Sequence, residues 1–103
     1  MKKWIARQGD LLIERIESIP NEAKKQKRQR IILAHGEATG HHHSVEQIDA
    51  ADWWKTETEQ FVHVKTATEV VHQEHAPIAL PPGKYQVSRQ VEYTPEAIRN
   101  VAD

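Results

Sequence analysis

The chain has 103 residues, enough for one hydrophobic core and too few for two, and a formal net charge of −1. That balance gives no global pull toward nucleic acid or an anionic membrane, and the lack of cysteine excludes disulfides and thiolate metal sites. The longest apolar run, "IILA", falls far short of the roughly twenty residues that cross a bilayer. No charged–apolar–small pattern opens the chain as a secretory signal would. The expectation is a single cytoplasmic domain over residues 1–103 with no membrane contact.

Strand signals dominate from the start. "KWIARQGDLLIERIE" holds two apolar stretches around Gly9-Asp10, a dipeptide suited to joining antiparallel strands. From Leu11 to Ile16 both faces are partly apolar. "SIPNEAKKQKRQR" breaks the pattern at Pro20-Asn21, and Lys24, Lys25, Lys27, Arg28 and Arg30 follow without apolar periodicity. These five leave nine basic against fifteen acidic groups elsewhere, and residues 18–30 read as an exposed basic loop. "RIILAHGE" returns to strand, with Gly36 and Gly40 bracketing a tight connection into "HHHSVEQI". The Thr-, Val- and aromatic-rich "ADWWKTETEQFVHVKTATEVVHQEH" supplies further strands. Pro77 and Pro81-Pro82-Gly83 interrupt the sheet. Lys84 to Tyr93 then alternates, with Tyr85, Val87, Arg89, Val91 and Tyr93 on one side. In "TPEAIRNVAD", Thr94 suits a helix cap, Pro95 the first helical position and Glu96 the helix dipole, so residues 94–102 are expected to be helical. Roughly six to eight short strands with a short C-terminal helix predict a mainly β fold, either a small antiparallel barrel or a jelly-roll-like sandwich.

The histidines gather in "HGEATGHHHSV", His35 to Val45, and "VVHQEHAPI", Val71 to Ile78. Residues two apart in a strand share a face with α-carbons about 6.6–6.8 Å apart. His41 and His43 can therefore converge on one ion, at roughly 2.0–2.1 Å per nitrogen for zinc, while His42 points the other way. A stable site needs another ligand, and the second segment offers it. His72 and Glu74 share one face of a regular strand, Gln73 and His75 the other; a bulge or the approach to Pro77 would turn His75 toward His72. The residues leave these alternatives open. They also leave Glu74 as a ligand, as an acceptor fixing a histidine tautomer, or as a general base. His35 and His63 have no sequence partners and read as ordinary polar residues.

A site of imidazoles without thiolates suits zinc, with iron, nickel, copper or manganese chemically compatible. Three protein ligands leave a position for water, whose pKa zinc lowers to about 7 for hydration or hydrolysis. A fourth closes the site and makes it structural.

The segments "RQGDLLIERI", "GEATGHHHSV" and "HQEHAPIALPPGKYQVSRQVEYTPEAIRNVAD" resemble a family of small bacterial and phage-encoded proteins with no established activity. The resemblance covers about half the chain. It implies family histidines at His41, His43, His72 and His75 and a glutamate at Glu74. A small residue is usual at the position of His42, which sets that residue apart from the ligands. A looser similarity is to cupins, whose first motif places His-x-His after a glycine with an acidic residue shortly beyond, here Glu46. The second cupin motif is not reproduced, because His72 and His75 precede Pro81-Pro82-Gly83. That similarity implies only a barrel that carries histidines.

"AKKQKRQR" has the charge to grip a phosphate backbone, but no glycine–aromatic RNA-binding motif accompanies it and a solvated loop is the plainer reading. Trp53 and Trp54 face opposite sides of a strand and are read as packing residues. Ser44 adjoins His43 and so faces away from it, which argues against a Ser–His dyad. The expected function is a His-rich divalent-metal site, zinc first, with Glu74 as general base in a hydrolase or hydratase/lyase acting on a small molecule. The alternatives are a non-catalytic, metal-stabilised accessory or assembly module and nucleic-acid binding through residues 24–30. A homo-oligomer is compatible with each of them.

Overall fold

The structure, a computed structural model, describes residues 4–35, 40–89, 91–93 and 98–100. Strands β1 (Ile5–Gln8) and β2 (Leu11–Ile16) form an antiparallel hairpin in which Gln8 lies opposite Leu11 and Ile5 opposite Glu14. Gly9 turns the corner with φ at 58°, a left-handed backbone that glycine adopts without a Cβ clash and that a two-residue hairpin needs at its first central position. Next come β3 (Lys24–Lys25), β4 (Ile31–His35), β5 (His42–Val45), β6 (Ala51–Lys55), β7 (Gln60–Val64), β8 (Thr68–Val70), β9 (Ile78–Leu80) and β10 (Gly83–Arg89). Last are β11 (Val91–Tyr93) and β12 (Ile98–Asn100).

The main sheet runs β1-β2-β10-β7-β6-β3, with all of its pairings antiparallel. It is open, with β1 and β3 as edges, so the barrel is not the architecture that forms. Two ribbons, β4–β5 and β8–β9, are joined by a bridge between Ser44 and Val71. One apolar cluster unites sheet and ribbons: Leu11, Ile13, Val62, Val64, Tyr85 and Val87 from the sheet meet Ile31, Leu33, Val45, Val70 and Leu80 from the ribbons. The period of two is visible in β2, where Leu11 and Ile13 are fully buried and Leu12 and Glu14 are only half-buried. Tyr85 carries its polar end into this core by donating its hydroxyl to the Pro81 carbonyl at 2.6 Å.

Two sequence expectations change. The basic segment is not loop throughout, since Lys24 and Lys25 pair with Lys55 and Trp54 as an edge strand. Lysines on such an edge discourage pairing with a further chain. Of the helix expected over residues 94–102, the described part is a strand instead: Ile98–Asn100 pairs antiparallel with Val91–Tyr93. A nine-residue helix is marginal on its own, and a β-branched residue at each end of the pairing, Val91 and Ile98, favours the extended form. Thr94, Pro95 and Glu96, like Gly36, lie outside the described residues.

Candidate functional site

The two histidine segments meet at a backbone bridge between Ser44 and Val71. Ser44 N–H donates to the Val71 carbonyl at 3.0 Å, and Val71 N–H to the Ser44 carbonyl at 2.8 Å. Antiparallel register from that pair sets His43 opposite His72 and His41 opposite Glu74, both on one face. The side chains follow the register: the His43 and His72 ring centres are 4.5 Å apart, and His41 Nε2 lies 3.6 Å from Glu74 Oε1. His42 faces away, its ring 6.3 Å from that of His35 and its N–H donated to Gln73 Oε1 at 2.7 Å.

Pairing stops after Val71 and the chain bends. Glu74 and His75 donate their N–H groups to His72 Nδ1 at 3.0 and 3.4 Å. This local turn swings His75 round to 4.7 Å from His72 and 6.3 Å from His43, between ring centres. Of the two sequence alternatives for His75, the one that joins His72 is what the chain adopts, by a bend rather than a bulge. His41 adds a further ring contact with His72 at 5.4 Å. His63 is half-buried in β7 and His35 is exposed at the end of β4; neither has a ring contact with His43, His72 or His75 among the described residues.

Asp10, in the hairpin turn, and Gln8, at the end of β1, reach the same place. Gln8 is buried and donates its amide to the carbonyls of Val70 at 3.1 Å and Ala76 at 2.8 Å. Those two bonds fix which way the amide faces, so its Oε1 must accept from His43 Nδ1 at 2.8 Å. The hydrogen-bond network thus assigns the proton of neutral His43 to Nδ1 and the lone pair to Nε2. That nitrogen lies 3.3 Å from Asp10 Oδ1, with both side chains fully buried. The other Asp10 oxygen accepts from Arg89 Nε at 2.5 Å. No signal in the sequence marks Asp10: it sits in a turn dipeptide, where aspartate is ordinary.

Burial pushes the His43 pKa below its usual value, the neighbouring His72 and His75 push the same way, and Asp10 opposes them. Glu46 stands apart from the cluster. It is exposed, accepts the Ser44 hydroxyl at 2.5 Å and lies 3.4 Å from Arg30; the Ser44 bond leads in holding its pKa below the usual carboxylate range.

Two imidazoles sharing a tetrahedral ion have ring centres about 5 Å apart, and the observed spacings of 4.5, 4.7, 5.4 and 6.3 Å bracket that value. As the side chains stand, however, no three His, Asp or Glu among the described residues surround one point at ligating distance. His72 carries the clearest constraint. Because its Nδ1 accepts backbone N–H groups, its neutral ring bears a proton on Nε2. Ligation through that nitrogen requires the ring to turn or the bend to open.

Fold and cluster together define a small antiparallel β domain with a buried histidine–aspartate centre. The chain belongs to the DUF8820 family, a domain of unknown function, whose profile matches residues 7–90. That span contains Gln8, Asp10, His41, His43, His72, Glu74, His75 and Arg89, and so the whole centre. No curated protein and no solved structure matches the chain.

Proposed function

We propose that this chain is a metal-binding β domain in which His43, His72 and His75, after their rings turn toward one another, hold one divalent cation, zinc by the chemistry of the donors. The observation that carries the reading is the pair of buried Nε2 atoms of His43 and His75, neither of which has a hydrogen-bond partner. A buried polar atom left so costs about 1–3 kcal/mol, and a cation with affinity for imidazole removes that cost. Gln8 plays the part expected beside such a ligand, holding Nδ1–H so that Nε2 is presented. His41 and Glu74 sit at the outer edge, with side chains 20% and 64% exposed. There His41 serves as an accessory ligand.

Elemental analysis of protein purified without an affinity tag, followed by zinc titration, tests this. Stoichiometric metal that is lost in a His43→Ala, His75→Ala variant is the expected result. No metal on purification and none taken up on re-addition overturns the reading.

The His41–Glu74 pair favours a second reading, a small hydrolase or hydratase/lyase. Bound zinc would supply Lewis acidity, and the exposed Glu74 carboxylate would take a proton at the solvent edge. Here Glu74→Gln abolishes turnover of a small electrophile while zinc affinity stays unchanged; equal turnover in both proteins rules the role out.

A further inference from the structure

Building on the metal-binding reading above, we infer that Asp10 supplies an oxygen ligand to the same cation and closes the centre against solvent, so that the metal is structural. The first argument is distance. Two donors at about 2.0–2.1 Å from a tetrahedral ion are about 3.3 Å from each other, and Asp10 Oδ1 stands 3.3 Å from His43 Nε2. This ligand-to-ligand edge stands at its working length.

The second argument is hydrogen-bond accounting. His43 Nδ1–H is committed to Gln8, so the neutral ring turns a lone pair toward a carboxylate oxygen. Neither Asp10 Oδ1 nor His43 Nε2 has a hydrogen-bond partner. With the ring neutral, two acceptors face each other where both residues are 0–1% exposed. A cation between them turns this contact from repulsive to attractive. Arg89 secures the arrangement from behind by binding Asp10 Oδ2 and the His35 carbonyl, which leaves Oδ1 as the oxygen aimed inward. Together with His43, His75 and, once its ring has turned, His72, Asp10 takes the fourth position in place of His41 and leaves zinc none for substrate. Neither the groove lined by Pro20, Lys24, Gln26 and Lys55 nor the one lined by Gln47, Ile48 and Ala50 has Asp10, His43, His72 or His75 in its wall.

The experiment uses the unaltered chain and Asp10→Asn, each titrated with zinc and with cobalt(II). Asp10→Asn is expected to bind zinc at least about tenfold more weakly. In the unaltered chain, zinc should move the NMR signals of the Asp10 carboxyl carbon and His43 Nε2 and leave Nδ1 of His43 protonated. Added thiocyanate should not change the cobalt spectrum. If Asp10→Asn fails to fold, the NMR arm decides alone. Zinc bound with the Asp10 and His43 signals unmoved, or equal affinity in both proteins, overturns Asp10 ligation and leaves the metal-binding reading standing. A thiocyanate-sensitive cobalt spectrum overturns closure. A chain that takes up neither metal overturns both readings together.

Discussion

Gln8 is 2% exposed, and its amide reaches two carbonyls and one imidazole that belong to different parts of the chain. Replacing it with leucine keeps the bulk but leaves the His43 N–H without an acceptor and the Val70 and Ala76 carbonyls without this donor. At about 1–3 kcal/mol for each stranded group, Gln8→Leu should destabilise the protein by about 3 kcal/mol in urea unfolding. It should also free His43 to exchange tautomers, which ring-nitrogen NMR reports. Ser44, itself buried, exerts a comparable control on the exposed Glu46. Its hydroxyl and Arg30 hold the Glu46 pKa below the ordinary 4.5. The folded state thus binds this proton less readily than the unfolded chain does. The resulting stability is fully present above the unfolded pKa and is lost as pH falls through the folded one. Ser44→Ala should raise the Glu46 midpoint toward 4.5 in a carboxyl-carbon titration and shrink that acid-side loss.

Among the elements, the Ser44–Val71 bridge governs the centre although it contributes no ligand. It is one reciprocal pair of backbone bonds, and the register it sets decides which histidines face each other. Proline at position 71 would remove the N–H that bonds the Ser44 carbonyl at 2.8 Å and would disfavour the pairing. Val71→Pro should therefore weaken zinc binding by about tenfold or more with every proposed ligand intact, while Val71→Thr, which keeps the N–H and the β-branch, should bind like the parent. Calorimetric titration of both variants separates geometry from ligand chemistry. The basic segment is likewise defined by its neighbours: Lys25 lies 3.6 Å from Asp52, Arg30 lies 3.4 Å from Glu46, and Arg28 pairs with Asp49. Part of the charge that reads as a nucleic-acid grip in one dimension is answered by carboxylates in three.

For the molecule as a whole, the main sheet and the two ribbons share one core of aliphatic residues with Tyr85 among them. Asp10, His43 and His72 are polar groups buried against it. A metal that binds the folded state alone adds RT ln(1 + [L]/Kd), about 2.7 kcal/mol at a hundredfold excess over Kd. In a chain of this length that corresponds to a rise in Tm on the order of 10–20 °C. Zinc should raise the melting temperature of the parent by that much and that of His43→Ala by little, as read by calorimetry with and without chelator. Equal melting temperatures with and without zinc would remove the metal from the account of stability.

Part of the fold was legible in residue patterns because those patterns are local. Gly9-Asp10 announced its hairpin, the alternation through Tyr85 and Val87 marked a core face, and His-x-His spacing set His42 apart. In Leu11 to Ile16, partly apolar on both faces, only the structure shows that Leu11 and Ile13 face the core. The C-terminal strand was not legible, since Thr94, Pro95 and Glu96 satisfy a helix start while the competing pairing of Ile98–Asn100 depends on β11. The place of His75 was decided by the bend at His72, which two backbone N–H groups close on an imidazole nitrogen. Asp10 is the fullest case. Its residue type and turn position are in the sequence, but its partners, His43 and Arg89, lie 33 and 79 residues away along the chain. Only folding brings them to one buried point. Alternation and turn chemistry act over a few residues and can be read in order; which polar groups share a dry interior depends on register between distant strands, and that is a property of the tertiary structure.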